Sequence, residues 1–363
     1  MNLLIDIGHP AHVHLFRNLY QLLKAKGHNV ILTVKNIPAA IDLLKRYKIG
    51  YILLDQKPKS FIKKAIKQFS FTGKIIEIAK KNNIDIGLGV SVSIPQAGLF
   101  TKMKTFVFDD DDITATPLFA LLSHTFANKV ISPDCVHKTT KYRHYITYPG
   151  YHELAYLHPN RFTPDKRILD ELRVNPNENY FILRFNAFKA HHDLGKKGLS
   201  SENKRKLIKV LKEYGKVFIS GEDKLEDEFT QYQINLPPEK IHSAMYYATM
   251  FISDSQTMSS EAAVLGTPAF RLNSFVGKIA YLEELENKYD LTYGFLPGQF
   301  EQMIRKIKEL LNTENLKETW KNKRQKMLQD KIDVTAFMVW FVDNHPESVN
   351  IIKDNPDYQL RFK

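Results

Sequence analysis

Short β-branched or leucine-rich runs alternate with amphipathic helical patterns through nearly the whole chain, and this alternation limits the fold more than any other feature. "LLIDI" (3–7) leads into "HLFRNLYQLLKAKG" (14–27), "VILTV" (30–34) into "PAAIDLLKRY" (38–47), and "YILL" (51–54) into "FIKKAIKQF" (61–69). "DIGLGV" (85–90), "TFVF" (105–108) and "KVIS" (129–132) continue the series. Strands separated by helices of this length pair in parallel through right-handed crossovers. The pattern then restarts with the strand "YFILRF" (180–185), the helix "NKRKLIKVLKEYG" (203–215) and the strands "KVFIS" (216–220), "MFIS" (250–253) and "PAFRL" (268–272). Between the two series, "YPGYHELAYLHPNRFTPD" (148–165) carries three prolines and little periodicity, as a connector does.

The fold class expected is therefore α/β, with two doubly wound Rossmann-like domains facing a central cleft. Residues 1–152 form the first domain, 153–178 the connector, 179–330 the second domain, and 331–363 a C-terminal helix and tail. A chain of 363 residues is too long for one ordinary core and suits two. In such sheets ligands sit beyond the carboxyl ends of the strands.

Charge and cysteine usage narrow the function. The net charge of +12 favours phosphorylated ligands or anionic surfaces. It does not make a nucleic-acid binder, because no recognition module, zinc-finger spacing or arginine-rich arm accompanies it. The single cysteine, Cys135, excludes an intramolecular disulfide and a cysteine-based metal site, and fits a reducing cytoplasm. The first residues, "MNLLIDIGHP", do not read as a signal peptide. No apolar run approaches the roughly 20 residues that span a bilayer.

The stretch "FISDSQTMSSEAAVLGTPAF" (251–270) raises the sharpest chemical question. A strand ends in Asp254, a cluster of small hydroxylated residues follows, and a helix opens with Glu261 in its first turn. Helix N-termini expose unpaired amides and the positive end of the dipole, so they attract phosphate. Ser255, Thr257, Ser259 and Ser260 are small enough to let the backbone approach an anion, and their hydroxyls add donors. Glu261 can accept hydrogen bonds from a vicinal diol such as ribose. A plain capped helix has the same residue types at the same spacing.

Residues 254–268 resemble the donor-nucleotide motif of GT-B glycosyltransferases and of non-hydrolysing UDP-N-acetylglucosamine 2-epimerases. In these families a strand, a small-residue turn, Glu-Ala and Gly-x-Pro follow in this order. Carried over, Glu261 holds the ribose and residues 255–260 hold the diphosphate. Gln256-Thr257-Met258 stand where the relatives usually have glycine. "GHPAHVHLFRNLYQLLKAKGHNVILTV" (8–34) is similar to the opening of GT-B enzymes. The run from "IDIGLGV" through "TFVFDDDD" to "FANKVISPD" (84–134) is similar to the matching part of the epimerases. The whole also resembles an uncharacterised bacterial and archaeal family of domains of unknown function with links to surface polysaccharides.

Several other clusters carry chemistry. His9 and His12, after the first strand, are candidates for positioning or deprotonating a sugar hydroxyl; metal binding by His9, His12 and His14 lacks an acidic or cysteine partner at ligand spacing. Asp109–Asp112 follow a buried strand and cannot all be paired cheaply. The resemblance puts a catalytic acid at Asp109 or Asp110, while a metal-binding DxD motif or a solvated helix cap are the alternatives. Arg184, His191 and His192, with Asn186, Lys189, Lys196 and Lys197, make a donor-rich loop suited to a diphosphate. Segment 60–81 is basic and amphipathic. Phe61, Ile62, Ala65, Ile66 and Phe69 share the face expected in the core, and its lysines are available to anionic lipid.

The reading as a whole is a metal-independent GT-B glycosyltransferase using a nucleotide-diphosphate sugar, UDP-linked, in surface polysaccharide or glycolipid biosynthesis. No cofactor is expected beyond that donor. The acceptor is a saccharide or lipid-linked saccharide. The location expected is cytoplasmic, with peripheral contact at the inner face of the plasma membrane. The alternatives are a UDP-N-acetylhexosamine 2-epimerase-like isomerase and a non-catalytic polysaccharide-assembly protein.

Overall fold

The computed structural model describes residues 1–56, 61–136, 144–185, 199–221 and 225–363, with the side chains of 55–67 outside that description. It divides into two compact units, Met1–Arg161 with Lys331–Lys363, and Phe162–Asp330.

In the first unit the order is β1 (Asn2–Ile7), α1 (Pro10–Ala25), β2 (Asn29–Asn36), α2 (Pro38–Arg46), β3 (Ile52–Gln56), α3 (Phe61–Lys81), β4 (Ile86–Gly89), α4 (Ser93–Gly98), β5 (Lys104–Phe108), α5 (Pro117–Ser123), β6 (Lys129–Pro133), β7 (Tyr145–Tyr148) and α6 (Leu154–Leu157). The seven strands form one parallel sheet in the order β3-β2-β1-β4-β5-β6-β7. Its central strands are near-continuous apolar runs because helices cover both faces: Leu3, Leu4, Ile5 and Ile7 of β1 are fully buried. The strand order reverses between β1 and β4, which is the topological switch point of this sheet.

The second unit runs α7 (Ile168–Glu171), β8 (Tyr180–Phe185), α8 (Ser201–Lys212), β9 (Lys216–Gly221), α9 (Ile241–Tyr247), β10 (Met250–Ser253), α10 (Thr257–Leu265), β11 (Ala269–Leu272), α11 (Ala280–Asn287), β12 (Thr292–Phe295), α12 (Phe300–Leu311) and α13 (Leu316–Asp330). Its five strands are parallel in the order β12-β11-β10-β8-β9, with the switch point between β8 and β10. The chain then returns to the first unit through α14 (Val334–Asp343) and α15 (Glu347–Asp354).

The expected alternation holds, with three differences. The boundary of the first unit falls after Arg161, so the connector expected at 153–178 is divided between the two units. Tyr151, Leu154, Ala155 and Leu157 are fully buried, which is core and not linker. Residues 331–363 pack back onto the first unit, as the apolar run at 333–344 implies. Val334, Phe337, Met338, Phe341 and Val342 of α14 are fully buried, and α14 packs on α1 and α6. The Phe341 ring lies 5.5 Å from Phe106 of β5, and Phe337 lies 5.6 Å from Tyr148 of β7. Helix α1 starts at Pro10 rather than at 14, because proline costs nothing in a first helical turn and His9 supplies the cap. Finally, Phe69, expected in the core, is 76% exposed, and α3 instead buries Phe71, Ile75 and Ala79. The other residues of that expected face, Phe61, Ile62, Ala65 and Ile66, lie outside the described side chains.

Helix α10 ends at Gly266 in the left-handed conformation, φ +82°. A Cβ there would lie 2.8 Å from the Arg324 side chain, whose Nε donates to the Val264 carbonyl. Gly266→Ala is therefore expected to cost about 1–2 kcal/mol from backbone strain alone, read as a lower denaturant midpoint with unchanged slope.

Candidate functional site

Each unit carries its polar side chains at the carboxyl edge of its sheet, and each is described by itself.

In the first unit, Asp6 near the end of β1 is fully buried and pinned from both sides. Thr33 Oγ1 of β2 donates to Oδ1 at 2.8 Å, and Ser91 Oγ after β4 donates to Oδ2 at 2.5 Å. Gly89 lets β4 pass this carboxylate, since a Cβ there would sit 3.1 Å from the Asp6 carbonyl oxygen. These bonds fix the two turns that flank the switch point. His9 caps α1, its Nδ1 accepting from the Ala11 amide at 3.2 Å; His12 Nδ1 accepts from the Gly8 amide at 3.2 Å. An accepting Nδ1 leaves the proton of a neutral ring on Nε2. A base role at Nδ1 requires either ring to give up its backbone bond. His14 belongs to the core, stacked on Tyr156 at 5.3 Å.

The aspartate run lies after β5, next to the switch point. Asp109 is 1% exposed; its Oδ2 lies 2.8 Å from His124 Nε2, and its Oδ1 accepts from the Asp111 amide. His124 Nδ1 is 3.0 Å from the Tyr145 hydroxyl. Asp110 Oδ2 lies 3.2 Å from His152 Nδ1. Two carboxylate–imidazole pairs thus stand side by side. Burial pushes the Asp109 carboxyl up, more than His124 draws it down. Burial also acts on Asp110, but the positive field of His152 and their contact outweigh it and hold that carboxyl below the usual range. His152 is pushed down by burial and, more strongly, up by Asp110, Glu153 and Asp109. Among the described residues Asp111 has no such partner cation at contact: burial and the charges of Asp110 and Asp109 push it up to about 7. The Tyr148 hydroxyl, buried without a partner among the described residues, is raised by burial and by Asp110 and Glu153, so it keeps its proton.

This cluster can hold and exchange protons near neutral pH. It pairs an ionised carboxylate, Asp110, with a carboxyl that is half protonated at pH 7, Asp111. The sequence pointed to Asp109 and Asp110 but not to their partners. His124, Tyr145 and His152 come from a helix end, a strand and the supposed connector. Their only signal was an isolated histidine beside an acid or aromatic residue.

In the second unit, Arg184, next to last in β8, and Ser253, last in β10, stand on either side of the switch point and in register with each other. Arg184 Nη1 donates to Ser220 Oγ of β9 at 3.0 Å. The turn 254–256 is tied down by Asn273 after β11, whose Nδ2 donates to the Asp254 carbonyl at 3.0 Å. The first helical bond of α10 runs from the Ser260 amide to the Gln256 carbonyl; the Met258 amide donates to Ser255 Oγ at 3.5 Å, and the amides of Thr257 and Ser259 have no intrahelical acceptor. Ser255 and Thr257 are half-buried at this end.

The expectation that Ser259 and Ser260 offer hydroxyls to a ligand is corrected. Both are fully buried; Ser259 Oγ donates to the Ser255 carbonyl at 2.8 Å, and Ser260 Oγ to the Thr257 carbonyl at 2.7 Å. They brace the turn from beneath. Glu261 is 5% exposed, with Oε1 3.1 Å from His242 Nε2 of α9, a partner the sequence did not suggest. His191 and His192, with Asn186, Lys189, Lys196 and Lys197, lie outside the described residues.

Solved structures share this fold. The UDP-GlcNAc 2-epimerase of Neisseria meningitidis bound to UDP-GlcNAc superposes with a TM-score of 0.63 at 12% identity, over 88% of this chain and 94% of that one. The epimerase of Methanocaldococcus jannaschii gives 0.65 at 10% identity, over 89% and 99%. The spinosyn forosaminyltransferase SpnP gives 0.63 at 14% identity, over 96% and 99%. At these identities the likeness establishes the fold, a two-domain Rossmann-like GT-B fold. No curated protein sequence matches the chain.

One prediction concerns Asp111. Its carboxyl ionises near pH 4 in the unfolded chain and near pH 7 in the folded one. The ionised form therefore weakens the fold increasingly from pH 4 to 7, and fully above 7. Asp111→Asn is expected to melt above the parent at pH 8, by about 1–3 kcal/mol of stability, with the gap closing toward pH 4. Thermal melts across that range check it. Residues 1–346 match the family described as "Protein of unknown function (DUF354)", and the chain belongs to that family.

Proposed function

We propose that the chain is an enzyme acting on a nucleotide-diphosphate sugar, in the first instance a glycosyltransferase with a UDP-linked donor. The observation that carries this reading is the start of α10. At the switch point of the second sheet, two first-turn amides without intrahelical acceptors, those of Thr257 and Ser259, stand beside Ser255, with Arg184 one strand away. Amides fixed in this way stabilise a leaving diphosphate as charge develops on it, at no cost of reorganisation. Glu261 is the group proposed for the ribose hydroxyls. The aspartate–histidine pairs of the first unit are proposed as the base that activates an acceptor hydroxyl, with Asp110 as the proton acceptor and His152 fixing its charge. No step calls for a metal. Two of the solved neighbours support the reading by what they are: one was crystallised with UDP-GlcNAc, another is a forosaminyltransferase. Surface polysaccharide or glycolipid assembly is the setting proposed for the acceptor.

Thr257→Asp separates the phosphate role from helix capping. A carboxylate in the first turn stabilises the helix but repels a diphosphate. The substitution is expected to keep or raise the melting temperature while weakening UDP binding by about tenfold or more, read by calorimetry. Unchanged UDP affinity, or no UDP affinity in the folded parent, sinks the proposal.

A second reading, a UDP-N-acetylhexosamine 2-epimerase, is favoured by the neighbouring ionised and half-protonated carboxyls of Asp110 and Asp111, since epimerisation needs a base and an acid at one centre. Incubation of UDP-GlcNAc in deuterated water without acceptor distinguishes the two: deuterium at sugar C2 supports the isomerase, and its absence together with acceptor-dependent UDP release supports the transferase.

A further inference from the structure

Five large apolar side chains of the first unit stand exposed on three elements that touch one another. Leu99 and Phe100, just after α4, are 57% and 63% exposed; Leu118 and Leu121 of α5 are 54% and 62% exposed; Phe126, in the turn that follows α5, is 39% exposed. Helix α4 packs against both α5 and that turn. Leu118 and Leu121 are three residues apart, so they share one helix face. Scattered exposed leucines need no explanation, but five large apolar side chains on elements that pack together point to a contact surface.

Cations border this surface at the amino edge of the sheet. Lys102 and Lys104 lead into β5, Lys129 opens β6, and Lys353 comes from α15. Lys102, Lys104 and Lys353 are exposed. Their charges bear on one another and on nearby imidazoles. Burial and then Lys353 hold Lys129 below the ordinary lysine range, and burial followed by Lys104 and Lys129 holds His345 low as well. Glu347 is the acid that opposes them at His345. A patch that keeps like charges together is complementary to a surface of opposite sign.

We propose that this face, formed by α4, α5, the turn after α5 and the amino ends of β5 and β6, docks on an anionic phospholipid membrane. The leucines and phenylalanines enter the boundary between headgroups and acyl chains, and the lysines meet the lipid phosphates. A second copy of the chain fits less well, because a symmetric contact would bring the lysine clusters face to face. The contact is peripheral: among the described residues no helix is long and apolar enough to cross a membrane. It differs from the contact the sequence suggested at 60–81.

Sedimentation of the full chain with vesicles tests this. Binding is expected to vesicles holding roughly one-third phosphatidylglycerol, not to pure phosphatidylcholine, and to fade in about 0.5 M salt. Lys102→Gln with Lys104→Gln is expected to lower the partition coefficient about thirtyfold, since each basic residue near the surface contributes about fivefold. Phe100→Ser with Leu121→Ser is expected to abolish binding. All four residues are exposed, so melting temperatures should not move. The proposal is overturned if the parent ignores anionic vesicles, if neither pair of substitutions changes binding, or if ultracentrifugation shows a dimer that the Phe100→Ser, Leu121→Ser variant converts to monomer.

Discussion

A parallel sheet covered by helices on both faces leaves polar groups one natural place to gather, the carboxyl edge, where strands give way to helix starts. Everything chemical in this chain follows from that constraint. In the first unit the edge is held by Asp6, a buried carboxylate made tolerable by hydroxyl donors from Thr33 and Ser91. Without those two bonds, burying the charge would cost several kcal/mol. With them, β2, β1 and β4 are locked at one level, and the loops that carry His9, His12 and Ser91 leave from fixed points. The second unit solves the same problem with neutral groups: Ser253, Ser259 and Asn273 tie the β10–α10 turn through hydroxyl and amide bonds.

The buried charges sort into two kinds. Arg271 of β11 is 1% exposed and sits between Glu283 at 2.9 Å and Glu286 at 2.8 Å. Its charges are matched, and it reads as architecture. Among the described residues the run Asp109–Asp111 is not matched in this way. Asp109 and Asp110 each have an imidazole, while Asp111 is left to share their negative field. An excess of carboxylates over partners keeps a proton loosely held, which a purely structural cluster gains nothing from. The same comparison separates Glu261, committed on one oxygen to His242, from the more open first turn of α10.

Much of the fold was legible because periodicity reports burial directly. The strand 180–185 and the strand 250–253 fall where their apolar runs fall, and the change of pattern between the two series reflects two separate sheets. What periodicity could not report was partnership across the chain. β7, "YITY", is too short and too polar to stand out. Phe69 reads as core by spacing, yet α3 turns its Phe71–Ile75–Ala79 face inward because those residues meet Leu4 and Ile94. In the site, the small residues at 255–260 marked the right helix start, but sequence does not say which way a hydroxyl points. Ser259 and Ser260 are small because the turn is tight beneath them. His124 and His152 were invisible as partners, since each reaches its aspartate only once the sheet has brought distant segments together.

The return of residues 331–363 to the first unit makes the second unit an insertion within the first. A ribosome therefore finishes Phe162–Asp330 before it has supplied α14. Until then, the aromatic faces of Phe106 and Tyr148 and the outer side of α1 lack their cover. The first half of the chain must wait, incompletely roofed and open to chaperones, for a helix encoded beyond the whole of the second unit.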